Sequence, residues 1–365
     1  MKLKILIFLL SFFLLMSCKT QQKITFSFLD EYIVPPNTKI KNTFIGGLSG
    51  IDFANNQYYI VVDDALNPRF LKAKINIKKD KITSINFTDV VFLKDATTSF
   101  YTKNALDLES IFVDEKTQKV YFTSEGKIYK NKNPLVFSTD ASGKRHTNYS
   151  IPDMFLANSN SKPVNNATFE GSSKSVNGNG FWVAMEAPLE IDGEEATIIK
   201  KSTPIRITYF DKKTQTATRQ FAYQLENITK PVKGKFNVNG LTAILEYKKN
   251  HFFIVERTYQ SGYGSYGNIV RIFNAVIDKN TTNILDVKSL KEAKYTPIKK
   301  ELILNLEDIQ SKLTNGIIDN IEGITFGPRL ANGKQSLILV SDDNFQKYDK
   351  QLNQFILLKV DFGKN

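Results

Sequence analysis

Short runs of apolar, β-branched and aromatic residues alternate with turns of Asn, Asp, Gly and Lys along nearly the whole 365-residue chain. Runs of this length and composition predict strands. Residues 58–62, 119–123, 181–185, 205–210, 252–255, 269–276, 336–341 and 355–360 read this way. A helical signal is confined to residues 305–313, with Gly316 near their end, and to residues 152–156. No Pro- or Ser-rich linker divides the pattern. One all-β domain is therefore expected over residues 24–362, with one or two short helical insertions.

Within this pattern a pair of strands recurs, the second ending in an acid. Gly46-Gly47-Leu48-Ser49-Gly50 precedes Asp63-Asp64, and Asp107-Leu108-Glu109-Ser110 precedes Glu125. Phe169-Glu170-Gly171 precedes Glu186, Val238-Asn239-Gly240 precedes Glu256-Arg257, and Ile321-Glu322-Gly323 precedes Asp342-Asp343-Asn344. The markers Gly50, Ser110, Gly171, Gly240 and Gly323 are 60, 61, 69 and 83 residues apart. A period near 60 in an all-β chain predicts β-propeller blades of about four strands. Dividing the 348 residues from Cys18 onward (365 less 17) by that period gives a six-bladed ring. Its sixth blade would be degenerate or shared between the termini, with residues 24–28 and 355–360 pairing to close it. A β-sandwich is the structural alternative.

In a propeller the start of the innermost strand and the end of the next lie at the same rim. Glu109, Glu170 and Glu322 hold the first position; Asp63, Glu125, Glu186, Glu256 and Asp342 hold the second. All eight are expected to meet around one channel mouth, with Asp64, Asp343 and Asn344 beside them. So many carboxylates repel unless a hard cation such as Ca²⁺ binds, arginines pair with them, or they cap backbone amides. Glu109, Glu170, Glu322 and Asp342 are the leading metal ligands. Arg257, Arg69 and Lys127 are the candidate anchors for an anionic substrate.

The first residues read as a targeting segment rather than as part of the fold. Met1-Lys2-Leu3-Lys4 is basic, residues 5–16 are apolar apart from Ser11, and Leu15-Met16-Ser17-Cys18 fits a bacterial lipoprotein cleavage signal. Residues 1–17 are expected to be removed and Cys18 to carry diacylglycerol and palmitate, with residues 18–23 as a tether. The expected location is the cell envelope, facing the periplasm from the outer membrane. Cys18 is the only cysteine, so no intrachain disulfide supports the fold.

The net charge of +12 is spread over turns rather than gathered in a stripe, and an exported protein is a poor nucleic-acid binder. A basic field favours anionic small molecules, and a monomer is expected. His146 and His251 are the only histidines. Histidine-phosphatase and zinc-protease signatures and the Gly-x-Ser-x-Gly elbow are absent. Gly262-Tyr263-Gly264-Ser265-Tyr266-Gly267 spells Gly-x-Gly-x-x-Gly but lies between strand-like runs. It reads as a hairpin loop over the mouth rather than a dinucleotide cradle.

Taken in order, the motifs resemble those of the phytase-like family, known by its "esterase-like activity of phytase". They are Gly-Gly-Leu-Ser-Gly-Ile-Asp at 46–52 with Asp63-Asp64, Asp-Leu-Glu-Ser-Ile at 107–111 with Ser-Glu-Gly at 124–126, and Phe-Glu-Gly at 169–171 with Met-Glu-Ala-Pro-Leu at 185–189. Val-Glu-Arg at 255–257, Ile-Glu-Gly-Ile-Thr-Phe-Gly-Pro at 321–328 and Ser-Asp-Asp-Asn-Phe at 341–345 complete the set. Ser49 and Asn239 stand where acids are expected, which weakens metal binding in those two repeats. The resemblance implies a propeller and metal-dependent hydrolysis of phosphoesters or other esters. A non-catalytic binding propeller stiffened by Ca²⁺, or a metal-dependent lactonase, are the alternatives.

Overall fold

The strand-forming runs pair with their sequence neighbours into five four-stranded antiparallel sheets. The structure is a computed structural model and describes residues 23–94, 98–199, 202–346 and 350–363. Residues 1–17, Cys18 and most of the expected tether lie outside the described residues.

From the axis outward, blade 1 is Leu48–Ala54, Gln57–Val62, Arg69–Lys78 and Lys81–Phe92. Blade 2 is Leu108–Asp114, Lys119–Ser124, Leu135–Thr139 and Arg145–Asn148. Blade 3 is Phe169–Lys174, Gly180–Met185, Pro204–Asp211 and Thr216–Gln224. Blade 4 is Asn237–Lys248, His251–Gln260, Asn268–Val276 and Lys299–Asn305. Blade 5 is Asn320–Arg329, Gln335–Asp342, Asn353–Asp361 and, as its outer strand, Thr25–Val34 from the start of the chain. Turn chemistry fixes these hairpins. Asn55 and Asn56, and likewise Lys79 and Asp80, take left-handed φ values of 50°, 57°, 49° and 61° in two-residue turns whose twist matches the strands they join.

The ring therefore has five blades, not six. The sixth came from dividing the chain by its shortest period. The later repeats are longer because their connections are longer, as between Val276 and Lys299 in blade 4, and the first strand completes the fifth blade. The closure expected between the two ends is present: Phe26 pairs with Val360, and Tyr32 with Phe355. The helical signals become short 3₁₀ turns. Leu306–Lys312 is capped by the Asn305 side chain, which accepts from the Glu307 N–H, and Asp153–Phe155 is the other.

Blades stack through their apolar faces. Phe112 and Tyr121 of blade 2 meet Phe181 of blade 3 at ring distances of 5.3 and 5.4 Å, and Trp182 meets Phe252 of blade 4 at 5.1 Å. At the axis the inner strands nearly touch. A Cβ on Gly50 would lie 2.9 Å from the Glu109 carbonyl oxygen, and one on Gly171 would lie 3.1 Å from the Ile244 nitrogen. Small residues thus let the inner strands pack closely, leaving about 10 Å³ of open space between them, while a far larger cavity lies at one end.

Candidate metal centre at the channel mouth

Each inner strand carries a bulge near its start, where one residue has no partner on the neighbouring strand and its side chain is re-aimed. The register breaks fall at Ser49, Glu109, Glu170-Gly171, Thr242 and Glu322. Three bulges therefore present glutamates to the mouth. On the second strand, the residues paired beside the bulge are Val62, Ser124, Met185, Glu256 and Ser341. The residue after each turns to the mouth: Asp63, Glu125, Glu186, Arg257 and Asp342.

This register corrects the alignment of the fourth repeat. Val238-Asn239-Gly240 imitates the recurring phrase, but the bulge lies further on, at Thr242. Blade 4 thus gives the ring a cation, Arg257, where the other four give acids.

Seven of the eight expected acids line one cavity of about 750 Å³: Asp63, Glu109, Glu125, Glu170, Glu186, Glu322 and Asp342. The eighth, Glu256, is 1% exposed and faces the seam between blades 3 and 4. Its carboxylate accepts from Tyr223 Oη at 2.7 Å, the Glu226 N–H at 2.8 Å and Asn239 Nδ2 at 2.9 Å, and pairs with Lys300 Nζ at 2.7 Å. That is a saturated structural site. Glu256→Ala is expected to destabilise the protein by about 3 kcal/mol, because it strands buried donors, while leaving the response to Ca²⁺ intact. Urea melts with and without Ca²⁺ check both parts.

Asp64 and Asp343 are also turned away from the cavity. Asp64 holds Arg69 Nη1 at 2.6 Å. Asp343 joins blades 5 and 1 by accepting from the Gly47 N–H at 2.9 Å and Asn353 Nδ2 at 2.9 Å. Arg69 is buried and lies outside the cavity lining, as does Lys127, whose ammonium sits 5.6 Å from the Tyr129 ring. Of the three candidate anchors only Arg257 reaches the mouth. Its Nη2 lies 3.1 Å from Glu186 Oε1 and its Nη1 3.8 Å from Glu322 Oε1; Nη1 also donates to Asn320 Oδ1. Its buried Nε has no hydrogen-bond partner among the described residues. Gly240 makes room for this pair, since a Cβ there would lie 2.3 Å from Glu186 Cγ.

Three groups of carboxylates bring ligand oxygens within 4.8 Å of one another: Asp63, Asp107 and Glu109; Glu109, Glu170 and Glu322; Glu125, Glu170 and Glu186. Glu109 and Glu170 each belong to two groups. Their carboxylates receive no hydrogen bond from a described residue, whereas Glu125 accepts from the Thr168 N–H at 2.6 Å. Burial raises the proton affinity of Glu109, Glu125 and Glu170 well above the ordinary range, and neighbouring carboxylates raise it further. Asp342 is raised the same way, by burial and then by Glu322. In Glu322 burial outweighs the lowering by Arg257, and the group is pushed up to about 8.

Asp107, Glu195, Asp319 and Asn320 are site residues that the repeat does not reveal. Asp107 stands one residue before its inner strand, and Glu195 comes from the long connection after Met185. Neither histidine lines the cavity, while the Gly262–Gly267 loop does so through Gly262, Gly264 and Ser265.

The family model for phytase-like proteins, described as esterase-like activity of phytase, matches residues 43–345. No curated protein is significantly similar to the chain. Among solved structures it resembles an exo-β-1,3-galactanase from Phanerochaete chrysosporium at TM-score 0.48 and 10% identity, over 91% of this chain and 65% of that one. It also resembles a DUF4221 family member from Bacteroides vulgatus at TM-score 0.41 and 7% identity, over 94% and 99% of the two chains. The major Malassezia sympodialis allergen Mala s 1 gives TM-score 0.41 and 12% identity, over 86% and 78%. These distant likenesses have no bearing on the chemistry of the mouth.

Proposed function

This chain belongs to the phytase-like family, and from that premise we propose that it is a hydrolase of ester bonds whose reaction takes place at the acid-ringed mouth of the propeller. The observation that supports this reading best is the set of three overlapping carboxylate groups, whose shared members Glu109 and Glu170 are buried and receive no hydrogen bond from a described residue.

The donor set suits a hard cation, Ca²⁺ above all: among the described residues every member of the three groups offers a carboxylate oxygen, and neither histidine lines the cavity. Glu109, Glu170 and Glu322 would hold it, with Asp63 and Asp107, or Glu125 and Glu186, serving neighbouring positions. A cation bound there supplies Lewis-acid polarisation and a water of lowered pKa.

The chain's own residues do the rest. Arg257, oriented by Glu186 and Asn320, lines the cavity and presents its guanidinium to an ester or phosphoryl oxygen. Asp342 stands outside the three groups and lines the same cavity, so its carboxyl is placed to protonate the departing alkoxide.

Hydrolysis of p-nitrophenyl acetate and p-nitrophenyl phosphate, measured before and after EDTA and again with Ca²⁺ restored, tests the reading. A fall of at least about tenfold that Ca²⁺ reverses is expected. Activity indifferent to chelation contradicts the metal-dependent mechanism. No turnover on any ester, with Ca²⁺ still raising the melting temperature, would favour a non-catalytic binding propeller. We also propose that the protein is held in the bacterial cell envelope by lipid on Cys18. Palmitate labelling that survives Cys18→Ser would overturn that tether.

A further inference from the structure

The inner hairpin of blade 4 is longer toward the mouth than the others. In blades 1, 2 and 3 the inner strand starts one residue before its bulge, at Leu48, Leu108 and Phe169; in blade 5 it starts two before, at Asn320. In blade 4 it starts at Asn237, five residues before Thr242. The extra residues carry the hairpin past the acid ring by roughly 10 Å.

Side chains two apart on a strand share a face. The Cα pairs Gly240–Arg257 and Val238–Tyr259 follow one another at that spacing, and Phe236 comes next, opposite Ser261. A ladder thus runs outward from the guanidinium, through Tyr259 and Val238, to Phe236, and all of these line the cavity. Phe236 is 69% exposed, yet its backbone is pinned. Its N–H donates to Ser261 Oγ at 3.0 Å, and its carbonyl accepts from the Ser261 N–H at 2.9 Å. A large aromatic ring held open to water beside a polar centre is an apolar contact surface without an internal partner. Asn268, paired with Tyr259, is buried and lines the same cavity, and its Oδ1 has no hydrogen-bond partner. A buried acceptor so placed suits a donor on a ligand.

The charge of the cavity bears on the same ligand. Nine carboxylates line it against two cations, Arg257 and Lys350, and Arg257 is already shared between Glu186 and Glu322. Cations held by these carboxylates would offset that charge, so it is the apolar group of the ligand that the blade-4 wall reads.

We infer that the mouth selects esters carrying a flat apolar group, which lies on Tyr259 and Phe236 while the ester oxygen faces Arg257. The reaction in this inference rests on the ester-hydrolase reading; the binding rests on the blade-4 wall alone.

Two measurements on the full chain separate these. Binding of N-benzylacetamide, an uncleaved amide analogue of a neutral aromatic ester, is followed by ligand-observed NMR in wild type, Tyr259→Phe and the Phe236→Ala/Tyr259→Ala double variant. Tyr259→Phe is expected to bind like wild type and the double variant at least about tenfold more weakly. Turnover of methyl phenylacetate is then compared with that of methyl acetate, which has the same leaving group. The wild type is expected to favour the aromatic ester at least about tenfold in kcat/KM, and the double variant to show a ratio near one. An unchanged ratio or unchanged amide binding in the double variant overturns the inference. Wall-dependent amide binding with no ester cleaved upholds the wall and overturns the hydrolase reading.

Discussion

Glu170→Gln is expected to cut ester hydrolysis at least about a hundredfold and to remove most of the rise in melting temperature that Ca²⁺ produces. It should also leave the chelated protein more stable than wild type at pH 8. The three effects share one origin. Glu170 is 5% exposed, belongs to two of the three carboxylate groups, and receives no hydrogen bond from a described residue. Without a cation its charge is opposed by burial first, then by Glu186, Glu125 and Glu322. Glutamine keeps the shape and removes the repulsion, so the chelated protein gains. With a cation the same change deletes a charged oxygen ligand, so binding and turnover lose. A Glu170 that served only to hold the fold would give the opposite pattern: lower stability under chelation and an unchanged response to Ca²⁺. Thermal melts and ester assays on the two proteins, each with EDTA and with Ca²⁺, distinguish the cases.

The second large effect is on pH. The carboxyls of Glu109, Glu125, Glu170, Glu186, Glu322 and Asp342 all hold their protons more tightly in the folded state than in the unfolded chain. A group with a raised folded-state pKa contributes stability that is complete below its unfolded value, near 4.5 for glutamate, and lost as pH rises through its folded value. Glu322, pushed up to about 8, sets the span of that loss. The chelated protein is therefore expected to melt at least about 10 °C lower at pH 8.5 than at pH 5. On the proposed reading Ca²⁺ binds these carboxylates in their deprotonated form and releases their protons. Its stabilising effect should be small at pH 5 and large at pH 8.5. Equal Ca²⁺ shifts at the two pH values would contradict coupling between the cation and these groups.

Much of this was legible in the sequence. The strand period, the turn residues and the recurring acids predict a propeller, the meeting of its acids at one mouth, and the pairing of its two ends. Each follows from local chemistry that repeats. The blade number was not legible by division, because connections such as residues 277–298 lengthen a repeat without adding a blade. The fourth repeat misled for a related reason. Asn239-Gly240-Leu241 looks like the other phrases, but register is decided by pairing across the strands, which places Thr242 at the bulge and Arg257 in the ring. Glu256 and Arg257 are adjacent in sequence and point to opposite faces, so a one-residue shift exchanges a structural acid for the mouth's central cation. Asp107, Glu195 and Asp319 come from connections, where no period announces them. Phe236 and Tyr259 were hidden as ordinary strand-forming residues, because the over-long hairpin that carries them is visible only in the pairing.

The most direct test is anomalous diffraction from crystals grown with a lanthanide in place of Ca²⁺. Strong density among the carboxylates of Glu109, Glu170 and Glu322, at roughly 2.4 Å from their oxygens, is the predicted result. Ions bound only on the outer surface, with those three carboxylates ordered and bare, would contradict it.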